Sequence, residues 1–305
     1  MSKLLSILVP VYNVGDYVCD TVQSLVAQSL DHSLYEILLL DDASTDKSPE
    51  LCRALARRHA NIRVITLEAH SPGGPATVCN LGIEEAGGRY IGIVDADDLA
   101  APSMFADLID QAEKEKADLC LCSYAVQNLN DGQLYAAYDF PRWQRLFEKD
   151  FSSLPLQRQQ RLVLRLAPVA WRKLYRRAFL LDEGLRFPEG DFHHEDHPFH
   201  WQCVLLAKSI TLVDKMLITY RRNRPGQLTR PDHESDSRQL LMHFAAIRNF
   251  LLDRKLYDDF QTEFFQLAQD ILRVLPPDSD IRERTRRSLE AIAEGQRTEN
   301  GYSTE

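Results

Sequence analysis

Three aspartates stand close together directly after an apolar segment of the chain. Residues 90–94 read YIGIV, and Asp95, Asp97 and Asp98 follow with one spacer residue among them. Five apolar or small residues in a row are typical of a strand buried in a parallel sheet, and sites in such sheets form where strands end. Crowded carboxylates repel one another unless a cation lies between them. Mg²⁺ or Mn²⁺ prefers oxygen ligands and also binds phosphates, so this segment predicts a metal-diphosphate site.

The same carboxylates also allow a purely structural interpretation. A helical pattern begins near Pro102, and Asp97 or Asp98 could cap that helix, because Asp is favoured at helix N-termini and Pro within the first turn. Acidic clusters after strands are common in α/β folds, and a fold alone does not specify a function. Taken by itself, the triplet leaves both interpretations open.

Composition and charge narrow the class of protein. The 305 residues are 44% apolar and 27% charged, which is typical of a soluble globular protein with one large domain, or one domain and a helical appendage. The net charge of -9 argues against sequence-independent nucleic-acid binding, which needs a basic surface. Pro10 interrupts the N-terminal apolar run and no other stretch approaches ~20 apolar residues, so we expect neither a signal peptide nor a transmembrane helix. Six cysteines without CxxC spacing indicate reduced core residues of a cytoplasmic protein.

Strand and helix patterns alternate through the first ~125 residues at the spacing of βαβ units. The second helix carries Ser48 as its expected N-cap, with Pro49 in the first turn. The alternation predicts an α/β fold with a doubly wound, mostly parallel sheet flanked by helices. The predicted strands are residues 4–10, 35–40, 61–67, a strand from Tyr90, and 118–126; the predicted helices are residues 16–30, a helix from 48, and 75–86.

The pattern loosens beyond a turn predicted at Asn130–Gly132. Residues 140–166 are expected to be helical, and residues 210–213 and 216–220 to form two short strands separated by a turn. From Ser235 the apolar spacing is helical, and two prolines at 276 and 277 end that helix pair. We interpret the apolar faces of these helices as core against the rest of the chain. Contact with the inner leaflet of a membrane is the open alternative.

Two further strand ends carry side chains suited to a nucleoside. Strand one ends in VPVYN, which contains Tyr12, and strand two ends in DDASTD, which contains Asp42. A planar base could stack on Tyr12 while Asp42 accepts a hydrogen bond from a ring N–H such as uracil's. The alternatives are packing for Tyr12, and a turn with a helix cap for residues 41–46. Three strand ends with ligand-type residues at one sheet edge favour a nucleotide site.

Three segments resemble, in order and spacing, the N-terminal half of glycosyltransferase family 2: VPVYN, LLLDDASTD and NLGIEEAGGRYIGIVDADD. The resemblance covers residues 4–230. Members of this family are inverting enzymes of the GT-A fold that use nucleotide-diphosphate sugars, so the resemblance implies that fold, such a donor, and Mn²⁺ or Mg²⁺. The residues that it assigns to the donor are Pro10, Tyr12 and Asp42 for the nucleoside, Asp95 for the ribose or diphosphate, and Asp97 with Asp98 for the metal.

The second half of the chain agrees with this resemblance. WRKLYRRAFL from Trp171 resembles the segment between the donor and acceptor halves, and FPEGDFHHEDHPFHWQ places Glu195 and Asp196 at the start of an expected helix. In the family a carboxylate of this pair is the general base, and the resemblance assigns that role to Asp196 with Glu195 beside it. A sugar hydroxyl is a poor nucleophile at neutral pH, and a positioned carboxylate contributes typically ~10²–10⁴-fold. Helix-dipole complementation is the alternative for both residues.

Histidines and arginines near these motifs could contact the same ligands. Arg222 or Arg224, in the segment YRRNRPGQLT that resembles the family's loop after the last catalytic strands, could bind the leaving diphosphate; a solvated basic loop is the alternative. Four histidines flank the Glu195–Asp196 pair without an HExxH pattern, so a zinc site is not favoured. One of them could instead touch the acceptor or the diphosphate: His193, His194, His197 and His200.

The chain departs from the family pattern at one position. Cys79–Asn80 stands where the family usually has Arg-Asn, and the missing arginine would ordinarily help to hold the nucleotide. Donor affinity and donor identity therefore stay open. Gly73 and Gly74, which precede this pair, could bring backbone close to a ligand or could form a loop before a helix that starts at Pro75.

Together these patterns predict an inverting transferase that moves a sugar from a nucleotide-diphosphate sugar, most simply a UDP-sugar, to a hydroxyl of a saccharide or lipid-linked saccharide. Such a reaction belongs to polysaccharide or glycoconjugate synthesis, in the cytoplasm or at the inner face of the membrane. The expected divisions are a GT-A catalytic domain at 1–230 (donor half 1–128, acceptor half 129–230), a helical extension at 231–296 and a frayed tail at 297–305. A catalytically weakened nucleotide-sugar binding or assembly protein is the alternative that Cys79 motivates. A sugar nucleotidyltransferase is disfavoured, because VYNVGDY after strand one lacks a glycine-rich, lysine-containing phosphate loop.

Overall fold

A computed structural model describes residues 3–148, 150–191, 193–227, 233–277 and 279–295. Its strands are β1 (Leu5–Val11), β2 (Tyr35–Asp41), β3 (Ile62–Thr66), β4 (Tyr90–Ile93), β5 (Leu99–Ala100), β6 (Leu119–Asn128), β7 (Leu134–Ala136), β8 (Lys173–Arg176) and β9 (Ile210–Arg222). They form one sheet in the order β3-β2-β1-β4-β8-β6-β9-β5, and β7 pairs with β6 outside this path.

Helices flank this sheet and extend beyond it. They are α1 (Val18–Val26), α2 (Ser48–Arg58), α3 (Ala76–Glu85), α4 (Met104–Glu115), α5 (Phe140–Arg145), α6 (Leu156–Val163), α7 (Arg177–Asp182), α8 (Asp196–Leu206), α9 (His233–Asp253), α10 (Tyr257–Val274) and α11 (Asp280–Glu294). Single turns of 3-10 helix lie at Phe151–Ser153 and Ala170–Arg172.

Strands β3, β2, β1 and β4 form the parallel half of the sheet. Every residue of β2 is buried, as expected for a strand covered by helices on both faces. The register pairs Val11 of β1 with Asp41 of β2, so these two strands end side by side at the same edge of the sheet. The loops after β1, β2 and β4 therefore meet at one edge, as the sequence predicts.

The other half of the sheet is mixed. Strand β8 runs antiparallel between β4 and β6, while β6 and β9 are parallel and β5 is antiparallel to β9. The predicted α/β architecture is confirmed, with a parallel half and a mixed half. Because β9 pairs with β5, which directly follows the aspartate triplet, the carboxyl end of β9 arrives beside those carboxylates.

One prediction for the second half was wrong, and another is confirmed only in part. Residues 210–220 do not form two strands: β9 is continuous, and its register with β6 shifts between Val213 and Met216 and again before Ile218. Extra residues in one strand produce such a bulge without ending the pairing. Residues 140–166 are helical in part: they contain α5, a 3-10 turn and α6, and Pro155 precedes the start of α6.

The predicted N-cap of the second helix was also wrong. Helix α2 begins at Ser48 itself, with Lys47 in the N-cap position and no side-chain cap. The Ser48 hydroxyl oxygen instead accepts a hydrogen bond of 3.0 Å from the backbone N–H of Val14. The serine thus ties the loop after β1 to the loop after β2.

Apolar side chains form one core on each face of the sheet. A buried ion pair lies at the boundary with the second half: Arg172 donates to Asp139 at 2.6 Å, and both side chains are fully buried. The guanidinium also lies over the rings of Tyr124 and Trp143. Removing one member of such a pair leaves the other charge buried without a partner, which is strongly destabilising. The pair therefore holds Arg172, and the 3-10 turn that contains it, in place.

The C-terminal helices pack against α8 rather than presenting their apolar faces to the outside. Phe244 of α9 and Phe264 of α10 stack with ring centroids 3.9 Å apart, and Trp201 of α8 contacts Phe264 edge-on. These rings belong to the same core as α11, through Leu289 and Ile292. None of the described helices combines the length and the hydropathy needed to cross a bilayer.

Candidate active site

The aspartate triplet lies between β4 and β5 at the carboxyl edge of the sheet. One oxygen of each of Asp95, Asp97 and Asp98 lies within 4.8 Å of the others. Asp97 and Asp98 are buried, and Asp95 is half-buried. Burial and the neighbouring carboxylates raise the pKa of Asp95 and of Asp98 well above the usual range. The triplet does not cap the next helix, because α4 begins at Met104 with Ser103 as its N-cap residue.

A buried arginine holds this triplet in place. The backbone N–H of Arg221 donates to Asp98 Oδ1 at 2.8 Å, and its Nε donates to the carbonyl oxygen of Asp97. The guanidinium also reaches Asp20 at 3.3 Å and the hydroxyl of Thr21 at 3.4 Å on α1. Arg221 therefore joins α1, the triplet and the end of β9 as one rigid unit.

The two arginines predicted for the diphosphate lie in different environments. Arg224 pairs through Nε with Asp97 Oδ2, and each of the two side chains is 10% exposed. Arg222 is exposed, and its carbonyl oxygen accepts a hydrogen bond from the N–H of Leu129. Arg224 is thus placed at the triplet, whereas Arg222 lies at the solvent side of the strand end.

The triplet has the donor set of a site for a hard divalent cation. It offers only carboxylate oxygens, and Asp98 Oδ2 is buried without a hydrogen-bond partner. Among the described residues, no other group of three His, Cys, Asp or Glu side chains brings its ligand atoms this close. Mg²⁺ and Mn²⁺ match such ligands. A cation there would compete with Arg224 for Asp97.

Tyr12 and Asp42, predicted to hold a base, converge on one aromatic ring, that of His70. The His70 ring stacks on Tyr12 with centroids 3.9 Å apart and planes 8° from parallel, and its Nδ1 lies 3.0 Å from Asp42 Oδ2. Asp42 also accepts hydrogen bonds from the N–H and hydroxyl of Ser71, at 2.8 Å and 2.7 Å. Pro10 lies in β1 beside this group, paired with Leu40 of β2.

The Glu195–Asp196 pair stands at the start of α8. Burial, with Asp196 beside it, raises the pKa of Glu195 to about 8. Burial raises the pKa of Asp196 to about 6, while the ammonium of Lys173 acts in the opposite direction. A helix N-terminus alone would lower both values, so burial dominates. The pair also contributes to the raised pKa of Asp95, which indicates that the pair and the triplet face one another.

Lys173 supports Asp196 from inside the sheet. Its side chain is fully buried, and Nζ donates to the carbonyl oxygens of Pro168, at 2.7 Å, and of Val169. The next residue, Ala170, donates its N–H to Asp196 Oδ1 at 3.2 Å. Burial lowers the pKa of Lys173 to about 7. One lysine thus fixes the turn that orients Asp196 and supplies a nearby positive charge.

The segment before Asp196 is anchored on two sides. Asn80 of α3 donates to the carbonyl oxygen of Phe187 and accepts from its N–H, both at 2.9 Å. On the other side, Gln239 of α9 accepts from the N–H of His193 at 2.7 Å, and His243 Nε2 lies 2.7 Å from the His193 carbonyl oxygen. Helix α9 therefore helps to position the segment that leads into the Glu195–Asp196 pair.

The four predicted histidines differ in position. His193 and His194 precede the pair, while His197 and His200 lie in α8. Burial lowers the pKa of His197 to about 3, so its imidazole is neutral at physiological pH. The rings of His194 and His197 are edge-on, with centroids 6.1 Å apart. His197 therefore adjoins Asp196 in sequence and contacts His194, whereas His200 is only 1% exposed.

Cys79, at the position where the resemblance leads us to expect an arginine, lies near the carboxylates. It is 2% exposed, and burial together with Asp95 and Glu195 raises the pKa of its thiol well above the usual range. The thiol contributes no positive charge. Nearby, a Cβ at Gly74 would lie 3.0 Å from Glu195 Oε2, so this glycine allows a close approach of backbone to Glu195.

Strained backbone marks the same region. Four of the non-glycine residues with positive φ adjoin the site: Asn13, Ala43, His194 and Asn223, with φ values of 50°, 52°, 64° and 70°. Such conformations persist only where the surrounding structure holds them, and they cluster at functional sites. At Asn13 the side-chain oxygen accepts the N–H of Thr45 at 2.8 Å, which locks the two loops that carry Tyr12 and Asp42 together.

The sequence identified most strand-end residues of this site but missed several partners. It did not single out Arg221, Lys173, His70 or Ser71. The alternation of a strand could have separated Arg221 from Arg222, because neighbouring residues of a strand point to opposite faces. The other three depend on contacts that a single sequence does not reveal.

Comparisons with known proteins agree with this fold. The family model described as "Glycosyl transferase family 2" matches residues 6–179. EpsJ of Bacillus subtilis (strain 168), an uncharacterized glycosyltransferase, is 34% identical over 75% of this chain, which spans 64% of that protein. The glycosyltransferase GlyG of Streptococcus pneumoniae (serotype 4) is 30% identical, with 77% of this chain and 75% of GlyG covered.

A solved structure shows the same fold over nearly the whole chain. The crystal structure of S. aureus TarS 1-349 in complex with UDP-GlcNAc superposes with a TM-score of 0.63 over 97% of this chain and 93% of that chain, at 20% identity. The GT-A fold expected from the sequence is therefore confirmed. With the family model covering more than half of its length, this chain belongs to glycosyltransferase family 2.

Proposed function

We propose that this chain transfers a sugar from a nucleotide-diphosphate sugar, a UDP-sugar in the first instance, to an acceptor hydroxyl with inversion at the anomeric carbon. The observation that carries the proposal is the placement of the Glu195–Asp196 pair beside Asp95 of the triplet: the pair raises the pKa of Asp95, and the buried Cys79 thiol lies near all three carboxylates. A leaving-group site and a general base would thus stand on two sides of one reacting centre. The TarS complex with UDP-GlcNAc supports the choice of nucleotide.

In this mechanism Asp196 acts as the general base. Its carboxylate takes the proton of the acceptor hydroxyl as the acceptor oxygen bonds to the anomeric carbon. The bond between that carbon and the diphosphate oxygen breaks, and its electron pair leaves with the nucleoside diphosphate. A single displacement from the opposite face inverts the configuration. A base with a pKa of about 6 is largely ionised at pH 7 and still accepts a proton effectively.

The neighbouring residues would serve the donor. Glu195, with a pKa of about 8, is protonated at neutral pH and can donate a hydrogen bond to an acceptor or diphosphate oxygen. Asp97 and Asp98 would hold Mn²⁺ or Mg²⁺, which would neutralise charge on the leaving diphosphate. Arg224, already beside Asp97, carries a guanidinium suited to phosphate oxygens. Pro10, Tyr12 and Asp42 would bind the nucleoside, and Asp95 the ribose or diphosphate.

The same proposal divides the chain by task. Residues 1–230 would form the catalytic domain, with the donor half at 1–128 and the acceptor half at 129–230. Residues 231–296 would form an extension that braces the catalytic pair through α9. The acceptor would be a saccharide, free or lipid-linked, in polysaccharide or glycoconjugate synthesis. Residues 297–305, the expected tail, lie outside the described residues.

The donor test is a thermal-shift screen of UDP- and GDP-sugars with and without Mn²⁺, because a ligand that binds the native state raises its apparent stability. The base is tested with Asp196→Asn, which should retain donor binding by calorimetry and lose transfer by ~10²–10⁴-fold. Asp191→Asn is the matched control, since Asp191 is exposed in the same segment. An intact protein that binds and hydrolyses no nucleotide sugar would refute the proposal. Equal loss of binding and transfer in Asp196→Asn would refute the role of Asp196.

One observation favours a second function. With Cys79 in this position, Asp95 and Glu195 lack the arginine guanidinium that the resemblance leads us to expect beside them. Its loss would suit a nucleotide-sugar binding or assembly protein with weakened catalysis. Donor binding without turnover across a broad panel of acceptors would favour this alternative.

A further inference from the structure

The surfaces assigned to the nucleobase bind a ring that belongs to the chain itself. His70 stacks on Tyr12 at 3.9 Å with nearly parallel planes, and its ring nitrogen Nδ1 lies 3.0 Å from Asp42 Oδ2. These are the two interactions expected of a base at this position: a planar ring on Tyr12 and a ring nitrogen at the Asp42 carboxylate. His70 therefore reproduces the contacts of a nucleobase.

Asp42 has little capacity left for a second ring. Its side chain is 5% exposed. One oxygen accepts the N–H of Ser71 at 2.8 Å, and the other accepts the Ser71 hydroxyl at 2.7 Å beside His70. A base could reach this carboxylate only after His70 and Ser71 have moved away from it.

The segment that carries His70 is held mainly by these side-chain contacts. Residues 68–74 lie between β3 and α3, and among the described residues they form no backbone–backbone hydrogen bond. The His70 side chain is 40% exposed, and Gly73 has a φ of 81°. Few backbone bonds and exposed side chains are properties of segments that open locally at low free energy.

We propose that His70 is a specificity residue that occupies the nucleobase site, so that the base of the donor must displace its ring from Tyr12 and Asp42. The inference rests on the proposed function, which assigns Tyr12 and Asp42 to the base. It adds that donor affinity is set partly against an internal competitor. Only a base that replaces both the stack and the hydrogen bond at Asp42 compensates for the loss of His70.

The test is calorimetry of uridine and UDP binding to wild-type protein, His70→Ala and His70→Phe. Removing the competing ring should tighten both ligands by roughly 2- to 10-fold, the factor that corresponds to one aromatic stack. His70→Phe keeps a ring for Tyr12 and should gain less than His70→Ala. His59→Ala, at the C-terminal end of α2 and away from this edge, is the matched histidine control and should bind as wild type does.

The outcomes separate this inference from the proposed function. Nucleotide binding to the wild type with unchanged or weaker binding to His70→Ala overturns the inference alone, because the ring would then be neutral or a partner of the base. No nucleotide binding to any of the four proteins overturns the proposed function and the inference with it.

A second measurement does not depend on how well the variants fold. In the NMR spectrum of the wild type, the ring protons of His70 should be shifted upfield by the Tyr12 ring, and saturation with UDP should abolish that shift. Ring protons that keep their shift in the UDP complex would overturn the proposal.

Discussion

Replacing Lys173 by methionine should not abolish sugar transfer. It should shift the pH dependence of transfer to higher pH. The ammonium of Lys173 is fully buried near Asp196 and opposes the rise in pKa that burial imposes on that carboxyl. As the proposed general base, Asp196 would accept a proton only when ionised, so activity should fall as pH drops through its pKa of about 6. Without the ammonium, the pKa of Asp196 rises and the loss of activity begins at higher pH.

The size of the effect follows from the loss of one opposite charge. Such a charge within a few ångströms shifts a carboxyl pKa by ~1–3 units. The acid limb of a plot of log kcat/KM against pH should therefore move to higher pH by that amount. At pH 7 this corresponds to a decrease of roughly 2- to 90-fold, which alkaline buffer should restore. The carbonyl oxygens of Pro168 and Val169 also lose their donor, and each unsatisfied buried group costs ~1–3 kcal/mol of stability.

The assay is kcat/KM for transfer from pH 5 to pH 10, with thermal unfolding and donor affinity measured on the same samples. Lys215→Met is the control, because Lys215 is an exposed lysine of β9 that pairs with Asp107 at 2.8 Å. Its profile should match that of the wild type. A folded Lys173→Met protein with an unmoved acid limb, or with the same loss at every pH, would refute an electrostatic role for Lys173.

Three further predictions test the packing, the anchor and the thiols. Phe264→Ala, at a fully buried ring, should lower the free energy of unfolding in urea by ~3–5 kcal/mol. Phe265→Ala, at a side chain 44% exposed, should change it by ~0.5 kcal/mol or less, and equal effects would contradict the described packing. Gln239→Ala removes the acceptor for His193 N–H and should lower kcat more than donor affinity; an unchanged kcat would show that α9 does not position the Glu195–Asp196 pair for the proposed reaction. In a thiol titration with Ellman's reagent, native protein should react at Cys19 alone, and a second fast thiol would contradict the burial of the other five cysteines.

The parallel half of the fold was predictable because its signals are local. Strands β1 and β2 are short apolar runs, and each ends abruptly in polar residues, which fixes both the strand and its carboxyl end. Once these strands are parallel, the residues after them must meet at one edge. Tyr12, Asp42 and Asp95 could therefore be grouped without knowledge of any contact between them.

The missing parts of the site depend on pairings between distant segments. Arg221 is 123 positions from Asp98, yet its N–H fixes that carboxylate. Lys173 and His70 act through turns whose geometry is set by tertiary packing. The bulge in β9 has the same origin, because its pairing with β6 continues past a local turn pattern. Periodicity reveals which segments are strands, but it does not reveal which side chains meet across them.

The buried carboxylates of this site and the cysteine at position 79 both affect its charge balance. Buried groups of like charge destabilise a fold, so they are retained mainly where function requires them. Here burial or crowding raises the pKa of Asp95, Asp98 and Glu195. Arg224 pairs with Asp97 and lowers the pKa of Asp95, and Arg221 lowers that of Asp98. Cys79 adds no charge at the position where the resemblance leads us to expect an arginine. The proposed donor diphosphate would bring further negative charge to the same edge. We therefore expect this site to depend more strongly on a divalent cation than one that retains the arginine, because the cation would have to supply the attraction that the thiol cannot.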